Sequence, residues 1–245
     1  MAIFSLSERL DRFCVLSEES KKHLDGTNSF QRTYDPRSEI FRAGEPIASL
    51  PLVQSGWLAT FDVTPEGKRG ILELALPGDI LSGPMHGRAP ISYTVTALTS
   101  ATVSFHPTAP IIDAMRTDAG MATAFLRLET YQHERLQDRL LPLTQLRSYE
   151  RTAHLFLDLH ARLDAVGMTA NGRFRMPLNQ AAIADHLGMH EVHVNRVLRQ
   201  MDHDGYVLRE KGYYITILDH AALAAMTGFR DHPRPARHTG REQPA

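Results

Sequence analysis

Two periodicities divide the chain. From about Phe30 to His106 the apolar residues come in short runs, EIFRAGE, SLPLVQSGWLATFDV, GILELALPGDIL and YTVTALTSATVSF. Val95 and Ala97 alternate with Thr94 and Thr96, the period of two expected of a half-buried strand. Turn signals at Ala43-Gly44, Ser55-Gly56, Pro65-Glu66-Gly67 and Pro77-Gly78-Asp79 separate the runs. Many short strands at this spacing predict a β-barrel or sandwich.

After Pro110 the period becomes helical. Met121, Phe125, Leu128, Leu136, Leu140 and Leu143 form one apolar stripe along roughly six turns, which Pro142 should end or kink. A lone helix would leave that stripe wet, so it is expected to pack on the strand domain or on a partner subunit, with a two-fold dimer seam the preferred reading. A further helix is predicted at about Ser148–Val166. Strands are predicted at Arg173–Leu178 and at Tyr206–Ile217, the latter a hairpin turning at Lys211-Gly212.

Between these strands, Leu178–Gly205 reads LNQAAIADHLGMHEVHVNRVLRQMDHDG, two short helices around a glycine. Asn179 is placed to cap the first helix and Gly188 to permit the turn. In the second, Val194, Val197, Leu198 and Met201 keep the i, i+3, i+4, i+7 spacing of a packed face. The opposite face carries Val192, Asn195, Arg196 and Arg199. A helix buried on one side and bearing Asn and Arg on the other suits a DNA major groove.

Composition changes this picture little. The 245 residues carry a net charge of −1, with 14 basic and 17 acidic residues up to Thr144 and 13 and 11 after it. DNA affinity must therefore come from where charge sits. The single Cys14 excludes an intramolecular disulfide and a multi-cysteine metal or iron–sulfur site, and it reads as an inert small residue. MAIFSLSERLDRF has charges within it and does not read as a signal peptide, and no apolar run approaches the ~20 residues of a membrane span, so a cytoplasmic protein without membrane contact is expected.

The order of strands, long helix and winged helix-turn-helix resembles the Crp/Fnr family of bacterial transcription regulators. The likeness runs from about Leu10 to Thr227 and is carried best by Leu178–Val207, including HVNR at His193–Arg196, with FRAGE at Phe41–Glu45 and LPGDIL at Leu76–Leu81 as weaker support. It implies an α+β fold: a cyclic-nucleotide-binding-like β-barrel (jelly roll) over 1–110, a dimerisation helix over 111–143, and a winged helix-turn-helix over 144–228. A disordered tail is expected at 229–245. The resemblance also implies a homodimer on a palindromic DNA operator, and RNA polymerase as a partner of activating members. Arg196 falls on the family's base-reading arginine. Val192 replaces its usual glutamate, exchanging a hydrogen bond to cytosine for apolar contact with a thymine methyl. Gln180, His190, Glu191, His193, Asn195, Arg199 and Lys211 complete the expected DNA-binding set.

Cyclic-nucleotide binding of the family's usual kind is not expected. Aligned on Gly78-Asp79 and Val95-Thr96-Ala97, Gly83 stands at the ribose-binding glutamate and Ile91-Ser92 at the phosphate-binding Arg-Ser pair. Ile91 cannot neutralise a phosphate. Gly78, Asp79, Arg88 and Ser92 are the candidates for a degenerate effector pocket. No cofactor is predicted; haem or another small effector is left open, with His86 and His133 among thirteen histidines and none in a selecting motif. His186, His190 and His193 straddle the Gly188 turn, so they make no common helical ligand face, and no metal site is expected. His154, Asp158 and His160 read as ordinary surface residues. No Walker loop, Gly-x-Ser-x-Gly elbow or His-Glu-x-x-His occurs, and the strands lack a cupin metal set, so no enzyme is expected. The alternative is a ligand-binding or partner-docking module whose winged domain mediates protein interaction rather than DNA reading.

Overall fold

A computed structural model describes residues 4–81 and 90–230. Two helices, α1 (Leu6–Asp11) and α2 (Glu18–Asp25), precede the strands. Ser17 starts α2 by accepting a hydrogen bond from the Ser20 N–H at 3.0 Å. The apolar pattern does not announce α2, because only Ser20 and Leu24 of its residues are buried.

The strand-like runs become β1 (Phe30–Tyr34), β2 (Glu39–Phe41), β3 (Ser49–Ser55), β4 (Leu58–Val63), β5 (Arg69–Ala75), β6 (Thr94–Ala97) and β7 (Ala101–Pro107). All pairings are antiparallel, in two sheets of order β1-β7-β3 and β2-β6-β4-β5. The expected jelly roll is therefore two sheets facing each other, and among the described residues their hydrogen bonding does not close into a barrel. Tyr34, Val53, Leu58, Val95, Val103 and Phe105 fill the space between them. At the β3–β4 turn Gly56 has φ +78°, and a Cβ there would lie 2.3 Å from the Ser100 carbonyl oxygen, so no side chain fits.

Helix α3 (Thr108–Met115) leads to the long α4 (Ala119–Gln145), whose Asp118 accepts from the Met121 N–H at 3.0 Å. The N-terminal half of α4 buries Met121, Ala124, Phe125 and Leu128 against Leu6, Leu10 and Leu52. Pro142 does not end α4, one of the two outcomes expected of it. The helix runs one turn further, and the Leu146 N–H closes it on the Pro142 carbonyl at 3.1 Å. One proline removes one donor, and the downstream turn still has its own bonds.

The carboxy-terminal part comprises α5 (Ser148–Asp164), β8 (Thr169–Ala170), β9 (Arg173–Arg175), α6 (Gln180–Leu187), α7 (Glu191–His203), β10 (Val207–Glu210), β11 (Tyr214–Ile217) and α8 (His220–Thr227). Its sheet has the order β10-β11-β9-β8. α5 carries Phe156, Leu159 and Leu163 into a core shared with α6 and α7, and that core continues into Trp57, just before β4, and Ile71 and Leu74 of β5. Among the described residues no helix is long and apolar enough to cross a membrane.

Candidate nucleic-acid interface

Local chemistry sets the two-helix unit. Asn179 Oδ1 accepts from the Ala182 N–H at 2.8 Å and starts α6. Gly188 ends it with φ 62°. The Arg151 guanidinium donates to the Leu187 carbonyl at 2.9 Å, satisfying an orphan acceptor at that end. Val194, Val197, Leu198 and Met201 are all buried, so the α7 stripe packs as its spacing predicts. At the far end the Tyr149 hydroxyl donates to Asp204, and Arg209 grips Asp202 through both Nε and Nη2, at 2.7 and 2.5 Å. The C-terminal end of α7 is thus held by hydroxyl and charged groups from α5 and the hairpin.

The outer face of α7 forms a shallow concavity. Gln180, Glu191, Val192, Asn195, Arg196 and Arg199 line it, together with Gln200 and His203. Asn195 Nδ2 donates to Gln180 Oε1 at 3.1 Å, so these two amides hold each other in place. Val192 is 78% exposed, unusual for valine on a helix whose other valines are buried. Among the described residues no carboxylate lies within ion-pair distance of Arg196 or Arg199, which leaves both guanidinium groups available to an outside anion. Gln200 and His203 are additions to the expected set; the spacing of Val192, Arg196, Arg199 and His203 continues the same face by one turn.

His190 and His193 stand exposed at the start of α7, ring centroids 6.0 Å apart, and do not line the concavity. Lys211 is exposed on the β10–β11 turn, where Gly212 and Tyr213 have φ 82° and 66°. That hairpin is stiffened by Arg173, which pairs with Glu210 at 2.7 Å and lies 3.6 Å over the Tyr214 ring.

The effector-pocket candidates fare differently. Asp79 is part of a buried ionic cluster: its Oδ2 accepts from the Leu76 N–H at 2.8 Å and from Arg162 Nη2 at 2.5 Å. Gly78 has φ +84°, and a Cβ on it would sit 3.1 Å from the Arg9 guanidinium carbon and 3.2 Å from Val166 Cγ1. Asp79 ties this turn to α5 and Gly78 lets Val166 approach it closely, and neither lines the large cavity of about 1330 Å³ between the β4–β5 sheet, α4, α5 and α6. Ser92 is exposed and outside that cavity; Arg88, Gly83 and His86 lie outside the described residues. Thr60, Glu73, Tyr93, Arg135, Arg139 and His186 are among its walls. His133 also lines it, and its ring bonds Gln137 at 3.0 Å.

The reading of His154, Asp158 and His160 as surface residues is corrected. His154 is buried, and burial lowers its pKa. Asp158 pairs with Arg162 at 3.3 Å; burial alone would raise its carboxyl, but the Arg162 and Arg135 charges hold it below the usual range. His160 packs edge-on against Phe174 and His220. For Arg162, burial would favour deprotonation, yet Asp79 and Asp158 raise its pKa and keep it charged. Helical spacing alone could not find this cluster, since Asp79 comes from a turn 83 residues away.

Two family models match: the Crp-like helix-turn-helix domain over 150–226 and the cyclic nucleotide-binding domain over 31–118. The transcriptional activator protein FnrA of Stutzerimonas stutzeri is 30% identical over 191 residues, covering 77% of each chain. The anaerobic regulatory protein of Pasteurella multocida is 25% identical over 222 residues, 89% of this chain and 81% of that one. In fold, the chain is similar to FixK2 from Bradyrhizobium japonicum, with a TM-score of 0.73 at 20% identity over 81% of this chain and 96% of that one.

Proposed function

Because the chain belongs to the Crp/Fnr family of transcription regulators and is no enzyme, we propose that it acts as a homodimer reading a palindromic DNA site through the outer face of α7. The carrying observation is the concavity in which unpaired Arg196 and Arg199 flank Asn195 and exposed Val192. Arg196 reads a base edge, Val192 contacts a thymine methyl, and Lys211 on the wing approaches phosphate with His190 and His193 at the groove's edge. Residues 1–110 act as sensor, 111–143 as dimer helix and 144–228 as reader, in the cytoplasm.

The dimer reading is supported by α4. Leu126, Leu136, Leu140 and Leu141 are exposed on it. Leu126 and Leu140 are two heptads apart, and Leu136 and Leu143 one, the repeat of a helix pair. A cyclic-nucleotide effector bound in the family's usual way is disfavoured, because buried Ile91 stands where a phosphate would need an arginine. RNA polymerase is the partner this reading adds if the protein activates.

Selection from a random duplex pool with the purified protein tests the reading. A palindrome should be enriched, and Arg196→Ala should weaken its binding by about 1–3 kcal/mol and relax one base position. Enrichment of no sequence, or an Arg196→Ala variant with unchanged affinity and preference, would return the winged domain to a protein-docking role.

A further inference from the structure

The winged domain is seated on the sensor sheet by apolar surface and by a small number of directional bonds. Trp57, Ile71 and Leu74 meet Phe156, Leu159 and Ile183 in one continuous core. Apolar contact is non-directional, and by itself it leaves two surfaces free to slide or rotate. The direction comes from Arg162. Its side chain is 5% exposed, and it donates to the Leu74 carbonyl at 2.6 Å, to Asp79 at 2.5 Å and to Asp158 at 3.3 Å. Leu74 and Asp79 belong to the sensor side, while Asp158 and Arg162 belong to α5. A planar guanidinium satisfied on several sides fixes angle as well as distance.

Further bonds lie on the same joint. Arg12 donates to the Ala165 carbonyl at 2.8 Å, just past the end of α5, and Gly78 admits Val166 at close range. On α6, Asp185 faces Arg69 at 3.9 Å. The orientation of α5, and with it of α6 and α7, is therefore referred to the Gly78-Asp79 turn rather than to the α4–α5 connection alone.

We propose that the Arg162–Asp79 pair is a positioning device which sets the angle of the reading head on the sensor, and hence the separation of the two α7 helices in the dimer. This rests on the dimeric DNA reading above. A dimer with rigid heads accepts one spacing of half-sites, since each added base pair turns a half-site by about 35°. Loosened heads accept several.

The experiment measures affinity for a full palindrome, for the same palindrome with one base pair added or removed from its centre, and for an isolated half-site. The triple variant Arg162→Met, Asp79→Asn, Asp158→Asn removes the pair with both of its carboxylates, at the cost of the Asp79 charge beside buried Arg9. Arg162→Lys keeps the charge without the planar fork and serves also if the triple variant does not fold. The wild type should lose roughly tenfold or more on a change of spacing, within the usual effect of linking two sites. The variants should fall below about threefold while half-site affinity holds within about twofold. A variant that keeps the wild-type spacing preference overturns the inference, even if its Tm has dropped, because a merely structural role lowers stability without changing spacing. A wild type indifferent to spacing overturns the dimeric reading and this inference with it.

Discussion

Helices α7 and α4 are both amphipathic, yet only one has its apolar stripe fully buried. α7 buries every residue of its apolar stripe against α5, α6 and the winged sheet, and its outer face is polar apart from Val192. α4 is covered along its N-terminal half by α1, β3 and α3, but its C-terminal half leaves Leu136, Leu140 and Leu141 exposed. The difference is one of supply. α7 sits inside a domain with enough elements to surround it, whereas the far end of α4, tied to β5 by Arg135–Glu73 at 3.3 Å, borders the large cavity, which Leu136, Leu140 and Leu143 line. The half-covered stripe of α4 is what the proposed dimer would use, and the lone exposed Val192 of α7 is what the proposed base contact would use.

Breaking α4's side of that contrast should have the largest effect. Leu136→Glu with Leu140→Glu places charges on the expected seam, and palindrome affinity should fall by about 10²–10⁴-fold as the second half-site is lost. Analytical ultracentrifugation should show monomer, with half-site binding kept. A dimer that survives both glutamates locates the interface elsewhere.

The α7 side can be sharpened by Val192→Glu. An exposed position tolerates the change, so stability should hold. Preference at one base pair of each half-site should move from thymine to cytosine, by about 1–3 kcal/mol. An unchanged preference would mean that Val192 touches no base.

The smallest effect concerns how tightly the back of the reading unit is sealed. His186 on α6 is buried beside β5 at the cavity wall, and its pKa is pulled down to about 3, chiefly by burial and then by the Arg139 charge. Unfolded, the same group titrates near 6.5. Between these values the unfolded chain binds a proton that the folded chain refuses, so stability is full above about pH 6.5 and is lost as pH falls toward 3. The lowered His154 and His106 act in the same direction. His186→Asn should remove about 1.4 kcal/mol per pH unit from the slope of unfolding free energy across that window, whatever its baseline. Urea titrations at pH 7, 6 and 5 measure it, and an unaltered slope would show that water reaches the ring.

The reading unit is legible in the sequence because its causes are local. Asn179 caps, Gly188 turns, and the spacing of Val194, Val197, Leu198 and Met201 decides which face goes inward; each operates within a few residues. Gln200 and His203 lie one step further along the same periodicity. The Pro142 stop fails because a proline near the last turn removes only one bond, and the residues after it still form theirs.

The buried ionic joint is illegible for the opposite reason. Asp79 and Arg162 are ordinary in their own segments, and a turn aspartate beside glycine reads as a ligand-loop residue until its partner is known. Local periodicity and capping determined the long helix, the helices of the winged part, the strands, the glycine turns and the polar face of α7, because those depend on neighbours in the chain. Tertiary structure decided that Asp79 faces Arg162, that His154 and His186 are buried, and that the strands make two sheets. Burial and long-range charge are properties of what the folded chain brings together, and no spacing along the sequence carries them.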